Sequence, residues 1–168
     1  MKTLVRIMGV ALLAVGTPAR GDYAGWKHTG SVYVLTTLEG ANLPATARVE
    51  NFPLLVRLNS TFFDFATARS DGSDLRFAAR DGSPLPHQIE TWDAAKGEAA
   101  IWVRVPVIRG DERQELKLYW GKPGAAGESN GGAVFNEANG YAGVWHMNDP
   151  VRDEVGTLAS KDTGTSPA

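Results

Sequence analysis

Residues 99–105 of the chain read Ala99-Ala100-Ile101-Trp102-Val103-Arg104-Val105. Every second residue from Ile101 to Val105 is a β-branched aliphatic, and Trp102 and Arg104 lie between them. Successive side chains of a β-strand point to opposite faces, so this period of two predicts a strand with one face in a hydrophobic core. The stretch therefore indicates a sheet that packs its aliphatic face against a second layer.

Further segments have the composition of short strands, rich in β-branched and aromatic residues and bounded by turn residues. They are Ser31–Leu38, Phe52–Leu58, Leu75–Ala79, Leu85–Trp92 and Leu116–Trp120. Only the stretch Phe62–Ala68 suits a helical turn. Many short strands with almost no helical periodicity predict an all-β fold, an antiparallel β-sandwich of jelly-roll-like type.

Composition and charge narrow the classes of partner. The 17 basic and 19 acidic residues give a formal net charge of −2, so the chain lacks the positive excess that neutralises nucleic-acid phosphates. The absence of cysteine excludes disulfides, thiolate metal sites and thiol nucleophiles within the chain. No phosphate-binding glycine loop or dinucleotide fingerprint occurs, so no cofactor is expected.

The N-terminus has the three-part layout of a secretory signal. Lys2 and Arg6 form a basic start, Ile7–Gly16 is apolar, and Ala19-Arg20-Gly21 offers small residues before a cleavage site. This apolar run is too short to span a membrane, which takes about 20 residues. We expect residues 1–21 to be a signal peptide and the remainder to be exported to the periplasm, the cell surface or the medium.

Several blocks of the chain carry a family resemblance. They are Gly72-Ser73-Asp74-Leu75-Arg76-Phe77, Leu85–Trp92, Ala100–Pro106 and Leu118–Pro123. Together they resemble a bacterial domain of unknown function, over about Phe52–Phe135. That family occurs in exported surface proteins and beside MotA/TolQ/ExbB-type proton-channel segments. The resemblance implies an extracytoplasmic module and supplies no catalytic residues.

The C-terminal part of the chain indicates a second unit. Gly143-Val144-Trp145-His146-Met147-Asn148, with Asp153, resembles the first strand of a concanavalin A-like, laminin-G-type jelly roll. We expect the sandwich to occupy residues 22–124 and residues 125–140 to form a linker, which begins with the small and polar run Ala125–Gly132. Residues 141–168 would then be the truncated start of the second domain, with a new strand over Tyr141–Met147.

Three aspartates in adjacent turns, Asp71, Asp74 and Asp81, are a candidate calcium site. Ca²⁺ takes roughly 6–8 oxygen ligands, and the turns offer a high density of oxygen. The spacing departs from that of an EF-hand loop. The alternative is that each carboxylate accepts hydrogen bonds from turn N–H groups and that no metal is bound.

Asp74 has further possible partners. It could pair with Arg76 along one strand face, or with Arg104 across strands. Together with Glu90 it is also the pair of carboxylates to test for glycoside hydrolysis, which requires two such groups about 5–10 Å apart in a cleft.

Aromatic residues provide the remaining candidates. Side chains alternate between the two faces of a strand. If Ile89, Val103 and Leu118 point to the core, the outward-facing residues are Glu90, Trp92, Trp102 and Tyr119. Exposed aromatic rings can stack on sugars. In the alternative interpretation, Trp92 and Trp102 fill the second half of the sandwich core. The ligand-binding candidates are Asp74, Arg76, Glu90, Trp92, Trp102 and Arg104.

These observations favour a non-enzymatic extracytoplasmic module that binds a carbohydrate, a cell surface or another exported protein, or that has a structural role. One alternative is a periplasmic sensor or spacer domain of an ExbB/TolQ-type proton-channel protein. Another is a glycoside hydrolase that uses Asp74 and Glu90.

Overall fold

Two antiparallel β-sheets form the framework of the protein. The computed structural model describes residues 21–147, 151–156 and 158, so the predicted signal peptide lies outside the described residues except for Gly21. One sheet has four strands in the order β1-β7-β3-β4, and the other has three in the order β2-β6-β5. The predicted all-β sandwich is confirmed.

The strands overlap the segments that the sequence predicts, although several begin or end at other residues. The strands are β1 His28–Leu35, β2 Arg48–Asn59, β3 Arg76–Ala79, β4 Pro84–Leu85, β5 His87–Asp93, β6 Glu98–Arg109 and β7 Arg113–Trp120. A 3-10 helix, Phe65–Thr67, lies within the predicted helical turn and is capped by the Asp64 carboxylate. A one-turn helix, α1 Gly131–Val134, and a second 3-10 helix, Glu137–Asn139, follow the last strand.

The core lies between the two sheets, where sequence alternation predicts it. Ile101 and Val103 are fully buried and Val105 is 2% exposed. Residues of the facing sheet, Phe77 and Leu118, are buried in the same cluster. The apolar face of β6 therefore packs against the four-stranded sheet, and this burial is the main stabilising contribution to the fold.

The predicted strand Leu85–Trp92 is in fact two strands in different sheets. Leu85 pairs with Phe77 in the four-stranded sheet, whereas His87 pairs with Val103 in the three-stranded sheet. Pro86 separates them. Proline has no N–H for a ladder and fixes φ, so it suits the point where the chain leaves one sheet for the other.

A β-bulge at Glu90 corrects the predicted faces of β5. Ile89 pairs with Ile101, but Thr91 pairs with Ala100, so Glu90 is the extra residue. An extra residue reverses the alternation beyond it. Thr91 is therefore exposed, and Trp92 turns towards the core instead of outward.

Residues 125–147, here called the covering segment, lie against the three-stranded sheet. Ser129 Oγ accepts a hydrogen bond from the Ile89 amide at 2.8 Å, and the Asn130 amide donates to the His87 carbonyl at 2.9 Å. Val134 is fully buried. The strand predicted over Tyr141–Met147 is wrong, because no sheet partner lies beside these residues in the described part of the chain.

Among the described residues, no helix has both the length and the apolar character needed to cross a membrane.

Candidate functional site

Asp74 is a structural residue inside the fold. Its side chain is 1% exposed, and its two oxygens accept hydrogen bonds from three backbone amides. The donors are Arg69 at 3.0 Å, Gly121 at 2.7 Å and Lys122 at 3.2 Å. The predicted pairing of Asp74 with Arg76 or Arg104 does not occur among the described residues. Asp74 therefore ties the turn before β3 to the end of β7.

Arg76 anchors the covering segment instead. Its Nε lies 3.0 Å from a carboxylate oxygen of Glu128, and its guanidinium also donates to the carbonyl of Ser73 at 3.1 Å. The Arg76 side chain is 8% exposed and that of Glu128 is 61% exposed. A buried guanidinium needs such partners because desolvation of an unpaired charge costs several kcal/mol. Arg76 is therefore satisfied by partners within the fold.

The three aspartates of the calcium candidate serve as turn caps. Asp71 accepts a hydrogen bond from the Ser73 amide at 3.0 Å, and Asp81 accepts one from the Ser83 amide at 2.9 Å. The hydrogen bonds from Ser73 and the neighbouring Arg69 lower the pKa of Asp71 to about 2. In the described part of the chain, no group of three His, Asp or Glu side chains is placed to hold a metal ion.

Glu90 and Trp102 meet on the outer face of the three-stranded sheet. Trp102 Nε1 donates to Glu90 Oε2 at 2.6 Å. His146, from the covering segment, places Nδ1 3.7 Å from the same oxygen and Nε2 3.1 Å from Gln88 Oε1. This arrangement joins two of the predicted site residues, although their polar groups are already engaged with each other.

The aromatic ring of Trp102 is also covered. His146 stacks on the indole with ring centroids 5.9 Å apart and 20° between the planes, and Phe135 meets it edge-on at 5.5 Å. Tyr141 meets Phe135 at 5.4 Å. A sugar that stacked on Trp102 would have to compete with the protein's own His146 for that ring face.

Trp92 and Trp102 have different surroundings. Both interpretations of the sequence place the two side chains in the same environment. Trp92 packs against Phe63 and Phe65 at the edge of the core, with ring centroids 6.0 and 4.9 Å apart. The alternative that Trp92 fills the core is therefore correct for this residue and not for Trp102. Arg104 lies half-buried on β6, and its amide donates to the Pro86 carbonyl at 2.9 Å.

Asp74 and Glu90 lie in different parts of the fold and have separate partners. Asp74 lies before β3 of the four-stranded sheet, and Glu90 lies on β5 of the other sheet. The oxygens of Asp74 accept from backbone amides, and Glu90 contacts the side chains of Trp102 and His146. Asp74 is also only 1% exposed, whereas glycoside hydrolysis requires two carboxylates that face the same cleft.

An open groove lies at one side of the sandwich, where both sheets end. β1 and β2 are the edge strands of their sheets on this side, and a groove of about 460 Å³ runs between them. We call this the edge groove, lined by residues 31–35 of β1, 54–58 of β2 and Phe62. Six exposed large hydrophobic side chains lie on the two strands or the turns after them: Tyr33, Leu35, Leu38, Val49, Phe52 and Phe62.

Different parts of the chain border the two ends of the edge groove. The loop 36–47 passes from β1 to β2 and is held by bonds such as Leu43 amide to Thr36 carbonyl at 2.9 Å. At the other end, Phe62 is 66% exposed and also lines a second hollow of about 610 Å³. This end hollow is formed by residues 60–66 and the β5–β6 turn 94–97. Phe62 therefore joins the two concave surfaces.

Comparison with known families supports one part of the sequence interpretation. Residues 71–148 match the model of the family Domain of unknown function (DUF2341). The coarse resemblance to a domain-of-unknown-function family is confirmed over this range. It covers β3 to β7 and the covering segment, and it does not include β1 or β2. No curated protein and no solved structure shows significant similarity to the chain.

Sequence reasoning misses the edge groove because its two walls are distant in the chain and carry no local motif. One signal could have found it. The run Val32-Tyr33-Val34-Leu35 is apolar on both faces of β1. Such a run is typical of a strand covered on both sides, whereas β1 is an edge strand in the structure.

Proposed function

We propose that the chain is a non-catalytic, exported binding module that holds another protein at the edge groove. The observation that carries this proposal is the open edge groove, whose lining includes the exposed side chains of Tyr33, Leu35 and Phe62. Large exposed apolar patches on soluble proteins often mark contact sites. Export is supported by the signal-like N-terminus.

The surroundings of the carboxylates also support a binding role over a catalytic one. The Asp74 carboxylate accepts hydrogen bonds from backbone amides, and the Glu90 carboxylate contacts Trp102 and His146. The candidate pair for glycoside hydrolysis therefore lacks a shared cleft, whereas the edge groove is open.

Site-specific cross-linking tests the proposal. A photoreactive phenylalanine analogue at Tyr33 samples the edge groove, and the same residue at exposed Thr91 samples the opposite side of the molecule. We expect a discrete cross-linked protein from position 33 in the producing cells and none from position 91. Equal labelling at both positions, or none at either, would contradict a binding role for this groove.

Carbohydrate binding is a second candidate, favoured by the end hollow. The exposed Phe62 ring stands beside the side chains of Ser60, Asp64 and Lys96, and a ring beside polar groups suits a sugar. A glycan array compares the wild type with Phe62→Ala. Binding that is lost in Phe62→Ala and kept in Trp102→Phe supports this candidate, and an empty array removes it.

The resemblance to proteins with MotA/TolQ/ExbB-type segments supports a third role, as a periplasmic sensor or spacer. The tail that resembles a concanavalin A-like jelly roll fits a multidomain surface protein instead. Fractionation of cells that make the full gene product separates these roles, since a channel-linked spacer would remain with the inner membrane and a surface protein would not.

A further inference from the structure

The free edge of β1 presents unpaired backbone groups beside the edge groove. β1 pairs with β7, and the Thr36 amide continues that ladder by donating to the Glu112 carbonyl at 3.0 Å. In an antiparallel ladder the bonded residues alternate, so the odd-numbered residues of β1 direct their N–H and C=O groups away from β7. The carbonyl of Leu35 already accepts from Ala41 at 3.0 Å in this outward direction. Ser31 and Tyr33 therefore offer their backbone groups to a further strand.

The two edges are protected to different degrees. β2 contains Pro53, which has no N–H, and Asn51, whose positive φ of 50° interrupts the regular strand. Prolines and irregularities are common devices that prevent pairing at an edge. β1 has neither a proline nor a positive φ outside glycine from His28 to Leu35. β1 is consequently the edge that accepts a partner strand.

The charges around the edge groove indicate the chemistry of that partner. Arg57 lines the groove, and in the described part of the chain no carboxylate pairs with it. Arg113 lies over the Tyr33 ring at 3.9 Å from its centroid. The nearby carboxylate of Glu39 accepts a hydrogen bond from the Thr37 hydroxyl at 2.7 Å, and that of Glu115, which contacts Ser31 and Tyr33, pairs with Lys117 at 2.6 Å. Arg57 is the charged residue of the groove lining, and it has no carboxylate partner among the described residues, which favours an occupant with a carboxylate.

We propose that the edge groove binds an extended segment of another protein, which pairs with β1 as a fifth strand of its sheet. This inference rests on the proposed function and names its partner. The segment has apolar side chains at alternate positions, which cover the half-buried Val32, Val34 and Leu54. It also carries an Asp or Glu that meets Arg57. Main-chain hydrogen bonds to β1 provide the affinity, and the groove selects the side chains.

The same charges argue against a second copy of this chain as the occupant. The β1 strand of a second copy, His28–Leu35, contains no Asp or Glu that could meet Arg57. A charged group at an interface needs an opposite charge for electrostatic complementarity. A heterologous acidic strand supplies that charge.

Selection from a display library of random octapeptides on the full mature chain tests the inference. We expect binders with alternating apolar residues and at least one Asp or Glu. A synthetic copy of a selected peptide should bind Arg57→Glu at least tenfold more weakly than the wild type. Replacement of the peptide's acidic residue by Lys should reverse that preference. Arg57 is exposed, so this variant should keep the wild-type thermal midpoint.

Backbone variants separate strand pairing from simple apolar contact. Methylation of the peptide nitrogens that face β1 should abolish binding, and methylation of the alternate nitrogens should leave it intact. Tyr33→Pro removes an outward donor and should also abolish binding, whereas Tyr33→Val keeps the donor and should retain most of the affinity. If Tyr33→Pro fails to fold, the methylated peptides give the same answer with the wild-type protein.

The outcomes distinguish the inference from the proposed function. Groove-dependent binders that tolerate methylation at every position would overturn strand pairing and leave a protein-binding role in place. Concentration-dependent dimers lost in Tyr33→Pro would assign the groove to a second copy and overturn the heterologous strand. A library without groove-dependent binders, together with no cross-link at Tyr33, would overturn both.

Discussion

Asp74 Oδ2 lies 2.7 Å from the amide nitrogen of Gly121, which has a left-handed φ of 84°. The contact joins the turn before β3 to the end of β7, 47 residues apart in the chain. A charged acceptor that satisfies several backbone donors makes stronger hydrogen bonds than a neutral one. The acidic residue that sequence reasoning assigns to a ligand therefore holds two parts of the fold together.

Replacement of Asp74 should destabilise the protein without any ligand being involved. Asp74→Asn turns one acceptor oxygen into a donor that faces a backbone N–H, and we expect a loss of about 2–4 kcal/mol in urea unfolding. Asp71→Asn is the matched control, since Asp71 is exposed and caps the same turn. An Asp74→Asn midpoint equal to that of Asp71→Asn would show that the buried network is unimportant.

The two tryptophans on β5 and β6 should respond differently to truncation. Trp92→Ala removes the contacts with Phe63 and Phe65 and should cost about 3–5 kcal/mol of unfolding free energy. Trp92→Phe should cost much less, because within the described residues the Trp92 Nε1 has no hydrogen-bond partner to lose. Thermal denaturation of both variants measures the difference. A Trp92→Ala protein of wild-type stability would place this side chain outside the core.

Glu90 and Trp102 should be energetically coupled. Their charge-assisted hydrogen bond of 2.6 Å is largely shielded by His146 and Phe135, so it is stronger than an exposed one. A double-mutant cycle with Glu90→Gln and Trp102→Phe should give a coupling energy of about 1–2 kcal/mol. Additive effects of the two substitutions would indicate that the contact contributes nothing to stability.

His87 should make the protein less stable in mild acid. It is 3% exposed, and burial, followed by the positive charge of Arg76, lowers the pKa of its imidazole from 6.5 to about 4. The unfolded chain therefore binds a proton more readily than the folded protein between these pH values. The stability linked to His87 is complete above pH 6.5 and is lost as the pH falls towards about 4.

The size of this effect is measurable. At about 1.4 kcal/mol per pKa unit, the loss across the window amounts to roughly 3 kcal/mol. Urea unfolding at several pH values should show this slope in the wild type and a flatter one in His87→Leu. Protonation of Asp71 changes the stability only at lower pH, since the pKa of Asp71 is about 2. It therefore does not interfere with the range in which His87 titrates. An identical slope in both proteins would show that His87 is not the group responsible.

Local alternation was enough to locate most of the strands and the core face of β6. Ile101 and Val103 are buried because their position within the strand alone decides which face they occupy. The same reasoning fails at Glu90 and Pro86. The bulge depends on how β5 meets β6, and the change of sheet depends on which strand each segment pairs with.

The candidate site depends still more on distant contacts. Alternation in the sequence predicts that Glu90 and Trp102 lie on outward faces, but it predicts neither that they contact each other nor that His146 covers them. Asp74 and Arg76 are predicted to bind a ligand because they are charged. In the structure, the hydrogen bonds of Asp74 and the ion pair of Arg76 are both made within the fold. A charged residue looks the same in the sequence whether it faces backbone amides or solvent.

The sequence by itself determined the all-β class, the approximate place of most strands and the apolar face of β6, because each depends on residues that are near one another in the chain. Only the tertiary structure decided the order of strands in each sheet, the inward turn of Trp92 and the open groove between β1 and β2. The physical reason is that hydrogen-bond pairing and burial join segments far apart, and the pairing sets which edges and which side chains stay exposed.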